Sequence, residues 1–167
     1  NCGESLRAME IKAITDIGLI RKQNEDSIAI EDNNLGATLL IVADGMGGHN
    51  AGEVASAMAC EILVTEFKKL KTEIDYKQFL EKAIILANKE IYKKSLLDEK
   101  CEKMGTTLSV VIFDRGKIYL GHVGDSRIYF LNTKKIVQLT SDHTLVQAMV
   151  EAYAITKQEA VLSKYKN

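Results

Sequence analysis

The chain has no proline, only three cysteines in 167 residues and a formal net charge of −1. Each shortage excludes something. Without proline, low-complexity runs or internal repeats there is no sign of a linker. At 167 residues the chain suits one domain with a core rather than two. Cys2, Cys60 and Cys101 are odd in number, widely spaced and without a CxxC pair. That speaks against a disulfide framework or a zinc cluster and fits a reducing cytoplasm. Lysines are spread through the chain rather than gathered in a block, so no electrostatic footprint for nucleic acid is present. The longest apolar runs are about five residues, far short of the roughly 20 that span a bilayer, so no membrane association is expected. The opening NCGESLRA lacks the apolar stretch of a signal peptide. Residues 1–8 are read as an added or disordered leader, with the folded unit beginning at Met9.

What is present is the material of an ordinary globular domain, 46% hydrophobic and 27% charged. Met9–Ile14 and Ser27–Ile30 alternate apolar and polar residues, as half-buried strands do. Leu39–Ala43 is apolar throughout, which suits a central strand covered on both faces. From Val54 to Leu70 apolar residues recur every three or four positions, and a second such stripe runs from Tyr76 to Ile91 after a polar break at Lys71–Asp75. After Gly105 the texture turns to β: Thr106–Phe113, a turn at Asp114-Arg115-Gly116, and Lys117–Val123 as a hairpin partner. Ser126–Leu131 and Ile136–Leu139 add two strands around a turn at Asn132–Lys134. Thr144–Glu151 and Thr156–Leu162 read as short helices, the second opened by a capping box of Thr156 with Glu159. Strands, two helices, more strands and short helices make a layered α+β arrangement rather than alternating βαβ units.

Three polar segments interrupt this frame. In VADGMGGHNAGE the apolar strand ends on Asp44, followed by Gly45, Gly47 and Gly48. Glycines permit positive φ and close backbone approach, so Asp44 beside them can offer carboxylate and carbonyl oxygens to one hard cation. A tight strand-to-helix turn explains the same residues, and a Walker phosphate loop does not, because its lysine and Ser/Thr are missing. TDIGLIRKQNEDS groups Arg21, Asn24, Glu25 and Asp26; Arg21 is either a bidentate phosphate partner or a solvated surface arginine. In an extended chain adjacent Glu25 and Asp26 point to opposite faces, so at most one faces a site directly. GHVGDSRIYFL sets Asp125 in a polar cluster between apolar runs, which is a bulge or turn as readily as a site.

Together TDIGLIRKQNEDS, VADGMGGHNAGEVAS, MGTTLSVVIF, GHVGDSRIYFL and LTSDHTLVQAMVEAYAITKQEA resemble the metal-dependent Ser/Thr protein phosphatase family, type 2C or PPM, in its bacterial branch. The motifs stand in the family's order and at its spacing. The resemblance implies a four-layer α/β/β/α sandwich around a central antiparallel β-sandwich, with the metal site at one end. It implies hydrolysis of phosphoserine and phosphothreonine by direct attack of a water bridging two Mn²⁺ or Mg²⁺ ions about 3.5–4 Å apart. By position, Asp44 bridges the two ions and Gly45 gives its carbonyl to one. Glu25 acts through metal-bound water, Asp26 supports it from behind, Arg21 holds the phosphate, and Asp125 matches the position of a third metal. The partners implied are phosphorylated Ser/Thr proteins and a cognate Ser/Thr kinase.

The chain also departs from the family. Met46 occupies the position where eukaryotic relatives carry a histidine thought to protonate the leaving group. Tyr153 stands where relatives usually have glycine, and His49, His122 and His143 are assigned no catalytic role. Family members continue past this chain's last residues with a second Asp-Gly motif, a final aspartate and closing strands. Residues 9–167 are therefore expected to be the N-terminal two-thirds of a catalytic domain, truncated at its C-terminus. The alternative is an inactive fragment or a metal- or partner-binding module of the same fold, completed by another chain.

Overall fold

A computed structural model describes residues 9–47, 51–72 and 75–144. Two helices cover one face of an antiparallel sheet. The strands are β1 (Asp26–Asp32), β2 (Thr38–Met46), β3 (Gly105–Thr106), β4 (Leu108–Asp114) and β5 (Lys117–Val123). They lie in the order β1-β2-β4-β5, with β3 also on β2. Helices α1 (Ala51–Lys68) and α2 (Tyr76–Leu97) follow β2, and a short hairpin of β6 (Tyr129–Leu131) and β7 (Ile136–Gln138) follows β5.

The all-apolar run is the central strand, as expected, but among the described residues only its helix-facing side is covered: Val42, on the other side, is 47% exposed. Leu39, Ile41 and Ala43 of β2 face the helices with Val110 and Ile112 of β4, and all are essentially buried. The buried side of α1 is small in its first half, with Gly52, Ala55, Ser56 and Ala59, and large in its second, with Leu63 and Phe67. Small residues let the helix approach β2 near its start, and the large ones fill the wider gap further on. The Phe67 ring meets Phe79 of α2 at 5.9 Å between centroids. Phe67→Ala is expected to cost about 3–5 kcal/mol in urea unfolding, since it empties a fully buried site. Tyr92→Ala, on the exposed side of α2, should stay within about 0.5 kcal/mol.

Local chemistry places the element ends. Asp75 caps α2 by accepting from the Lys77 amide at 2.9 Å. Arg115 and Gly116 both take positive φ, 48° and 76°, the type I′ turn that a two-residue hairpin needs between β4 and β5. Asn132 closes the β6–β7 turn by accepting from the Lys134 and Lys135 amides.

Two expectations are corrected. Met9–Ile14 forms no strand. Alternation gives that segment two faces but cannot supply a strand edge to pair with, and Ile11–Ile14 instead borders a groove of ≈ 450 Å³ over the sheet face opposite the helices. That face carries Ile28, Leu40, Val42 and Val111, and Ser126–Tyr129 closes the groove's other side. Second, β2 does not end on Asp44: it runs two residues further, pairing Gly45 with Thr106 and Met46 with Gly105. The helices expected past Thr144, with Tyr153, fall on 145–167, outside the described residues, as do residues 1–8 and His49.

Candidate active site at the end of the sheet

Asp44 and Asp26 lie directly opposite each other in the β1–β2 pair, on the face away from the helices. Burial raises the Asp44 carboxyl above the ordinary value of 3.8. The Asp26 charge raises it further, Arg21 opposes the rise, and a hydrogen bond with Asp26 and the charge of Asp125 add to it.

Asn24 organises the approach to this pair. Its amide donates to Thr15 Oγ1 at 2.6 Å and its carbonyl accepts from the Asp26 amide at 3.0 Å, tying the Arg21 loop to the start of β1. Arg21 is 67% exposed and only 4.0 Å from Glu25 Oε2, an ion pair too loose to occupy the guanidinium.

Glu25 is held from the helix side. Its carbonyl accepts from Gly45 N at 3.1 Å and from Ser56 Oγ at 2.6 Å, and Ser56 also meets Ser27 at 2.9 Å. Its carboxylate rests against Gly52 in the first turn of α1, where a Cβ would come within 2.8 Å of Glu25 Cδ. A carboxylate there is favoured by the helix dipole. At Gly45 a Cβ would stand 2.1 Å from the Gly52 carbonyl oxygen. Close approach, not positive φ, is therefore what requires glycine at 45.

Asp125 reaches the site on a bend behind β5. Gly124, at φ 107°, donates to His143 Nδ1 at 3.3 Å, while its carbonyl accepts from the His143 amide at 2.8 Å. That carbonyl also takes His122 Nε2 at 3.0 Å, which leaves His122 Nδ1 to accept from the Ser109 hydroxyl at 3.1 Å. His122 is thus a strand residue that anchors a loop. Beyond Asp125, Arg127 Nε donates to Asp142 Oδ1 at 2.9 Å and Nη2 to Oδ2 at 2.5 Å. These bonds hold the Asp142 carboxyl below its ordinary 3.8. A depressed folded value means the pair's stabilisation is complete above 3.8 and is lost as pH falls through the folded value. An NMR titration is expected to place the Asp142 midpoint below 3.8, and Arg127→Met to return it to that value or above.

One open cleft of ≈ 560 Å³ brings the predicted residues together: Arg21, Glu25, Asp44, Gly45 and Asp125 line it, with Met46 and Thr107. Asp26 sits beside it, opposite Asp44. Of the adjacent pair only Glu25 lines the cleft, as expected of neighbours that point to opposite faces. The residues that sequence reasoning passed over are Thr107, Ser56 and Gly52. Thr107 stood inside the quoted MGTT motif without a role, and the other two look like ordinary helix residues.

The donors suit a hard divalent cation, being carboxylates and a backbone carbonyl rather than thiols or imidazoles. Asp44 and Asp26 repel one another, a cost that a bound cation would relieve. Among the described residues, however, no group of three or more His, Cys, Asp or Glu is gathered closely enough to hold a metal by itself. The residues fit a divalent cation in kind and fall short of a full set of ligands in number.

The chain belongs to the protein phosphatase 2C family, whose model matches residues 21–163. It is 40% identical over 156 residues to the serine/threonine phosphatase stp of Listeria monocytogenes serotype 4b, covering 92% of this chain and 62% of that protein. Among solved structures, Stp1 from Staphylococcus aureus superposes with a TM-score of 0.83 at 33% identity, covering 96% of this chain and 66% of that one. The catalytic domain of the serine/threonine phosphatase PstP, solved in complex with two manganese ions, matches with a TM-score of 0.72 at 39% identity, over 86% of this chain and 60% of that one. The α+β fold expected from the motifs is thus the fold of these phosphatases. The chain spans less than two thirds of the length of these relatives. Among the described residues no helix is long and apolar enough to cross a membrane.

Proposed function

We propose that this chain is the N-terminal, phosphate- and metal-binding part of a catalytic domain, running from residue 9 to 167, that hydrolyses phosphoserine and phosphothreonine in proteins. The observation that carries the reading is the single cleft in which Arg21, Glu25, Asp44, Gly45 and Asp125 meet. Asp44 and the Gly45 carbonyl would hold Mn²⁺ or Mg²⁺, two ions in the complete domain, with Glu25 reaching them through water and Asp125 serving a third. Bound there, the cations lower the pKa of a water and neutralise phosphate oxygens.

Other steps fall to the chain's own residues. Arg21 binds two phosphate oxygens and orients the ester. Asp26 keeps Asp44 aimed along the cleft, and Glu25, anchored through its own carbonyl, fixes where water sits. Met46 lines the cleft with a thioether, which carries no proton to give a leaving group. The substrates in this reading are phosphorylated proteins of the cytoplasm, with a Ser/Thr kinase as the opposing partner. The alternative, an inactive fragment or binding module completed by another chain, draws on the absence of a three-ligand group among the described residues.

Mn²⁺-dependent hydrolysis of p-nitrophenyl phosphate tests the choice, with calorimetric Mn²⁺ titration beside it. Hydrolysis that Asp44→Asn abolishes supports the enzyme. Binding without hydrolysis in a chain extended to the full length of its relatives supports the module, hydrolysis only in that extended chain supports the enzyme with this chain as its part, and neither binding nor hydrolysis overturns the metal reading.

A further inference from the structure

We propose that Thr107 is a positioning residue: its hydroxyl joins the backbone of Asp44 to the Asp125 loop and so sets the spacing of those two carboxylates across the cleft. The inference rests on the metal reading above and adds a residue to which that reading gives no part. β2 pairs with β4 as far as Val42–Ser109 and with β3 from Gly45–Thr106, in one unbroken register that puts Thr107 opposite Asp44. At that one position a side chain completes the ladder. The Thr107 amide donates to the Asp44 carbonyl at 2.8 Å, but the Asp44 amide donates to Thr107 Oγ1 at 3.0 Å. The Thr107 carbonyl is engaged by the Thr106 hydroxyl at 2.8 Å.

The same Thr107 Oγ1 lies 2.7 Å from Ser126 Oγ, on the residue after Asp125. Gly124, on the residue before it, packs onto the Thr107 side chain so tightly that a Cβ there would stand 2.7 Å from Thr107 Cγ2. Two contacts therefore bracket Asp125, and a third fixes Asp44. A strand residue chosen only for β-propensity would need no hydroxyl, so valine, with nearly the same shape, would serve equally well.

That difference is measurable. Thr107→Val is expected to speed hydrogen exchange of the Asp44 amide by about tenfold, the worth of one hydrogen bond of ordinary strength. It should weaken Mn²⁺ binding by about tenfold in calorimetry, as loss of a group that orients a ligand does. Thr107→Ser, which keeps the hydroxyl, should leave both within about twofold. Ser126→Ala should weaken Mn²⁺ binding while Asp44 stays protected, which keeps the idea testable should the valine variant fold poorly. Wild-type exchange and affinity in Thr107→Val, or wild-type affinity in Ser126→Ala, would overturn the role. If the unaltered chain binds no Mn²⁺, the metal reading fails on its own, and Asp44 exchange in Thr107→Val and Thr107→Ser still decides whether Thr107 positions Asp44.

Discussion

Asp44→Asn is expected to weaken Mn²⁺ binding by more than about a hundredfold, and with it any Mn²⁺-dependent hydrolysis, while raising the thermal midpoint of the metal-free protein at pH 7. The first effect follows from removing a carboxylate that would touch the cation, which should exceed the ten- to hundredfold losses seen when only a supporting group goes. The second follows from the sign of the Asp44 shift. Its folded pKa lies above 3.8, chiefly through burial and then through Asp26. Between 3.8 and that raised value the folded state binds more protons than the unfolded state, so this group's contribution to stability falls as pH rises. At pH 7 the ionised carboxylate is a net cost to the fold, and the isosteric amide removes it. Differential scanning fluorimetry with and without Mn²⁺ reads both effects. A lower midpoint in the metal-free variant would contradict the electrostatic account of the Asp26–Asp44 pair.

On the metal reading proposed above, such opposed signs are those of carboxylates arranged for a cation rather than for the resting fold. Surrounding residues hold them there. Ser56 and Gly45 fix the Glu25 backbone, Asn24 fixes Asp26, and the two histidines fix Gly124. Little of the binding energy of a cation would then be spent on ordering these groups.

Most of the frame was legible because periodicity and turn chemistry are local. The stripes from Val54 and Tyr76 lie on α1 and α2, although Leu70 falls just past the end of α1, and the turn expected at Asp114-Arg115-Gly116 forms at Arg115-Gly116. Met9–Ile14 misled because alternation records which side of a segment is apolar and says nothing about an available partner edge. The end of β2 was misjudged by two residues for a related reason: Gly45 and Met46 extend the strand past Asp44 only because Gly105 and Thr106 arrive from about 60 residues away to pair with them. The cleft residues were legible only as an ordered set of motifs. Taken singly, Arg21 and Asp125 were as well explained by a solvated surface or a turn. Thr107, Ser56 and Gly52 were not legible as site residues, because each acts through a contact made across the fold.

The contact between Gly45 and Gly52 gives the largest stability effect expected of any single methyl group here. Gly45→Ala should cost about 3 kcal/mol or more in urea unfolding. The added Cβ would stand 2.1 Å from the Gly52 carbonyl oxygen, 2.4 Å from its carbonyl carbon and 2.6 Å from the Glu25 carbonyl oxygen. All three are backbone atoms, so no rotamer change relieves the overlap. Gly45 is not among the glycines at positive φ, so alanine's own conformational preference adds little to the cost. Relief requires α1 to withdraw from β2, and that withdrawal pulls Ser56 away from the Glu25 carbonyl and opens the packing of Ala55 and Ala59. Mn²⁺ binding should therefore fall as well, although alanine keeps the carbonyl oxygen that Gly45 would offer. Gly121→Ala is the control: its nearest neighbour is Ile84 Cδ1 at 2.9 Å, a terminal methyl that can turn aside. That change should cost about 1 kcal/mol and leave Mn²⁺ affinity unaltered. Equal tolerance of the two substitutions would show that the closeness of α1 to β2 is not what holds the Glu25–Asp44 end of the cleft together.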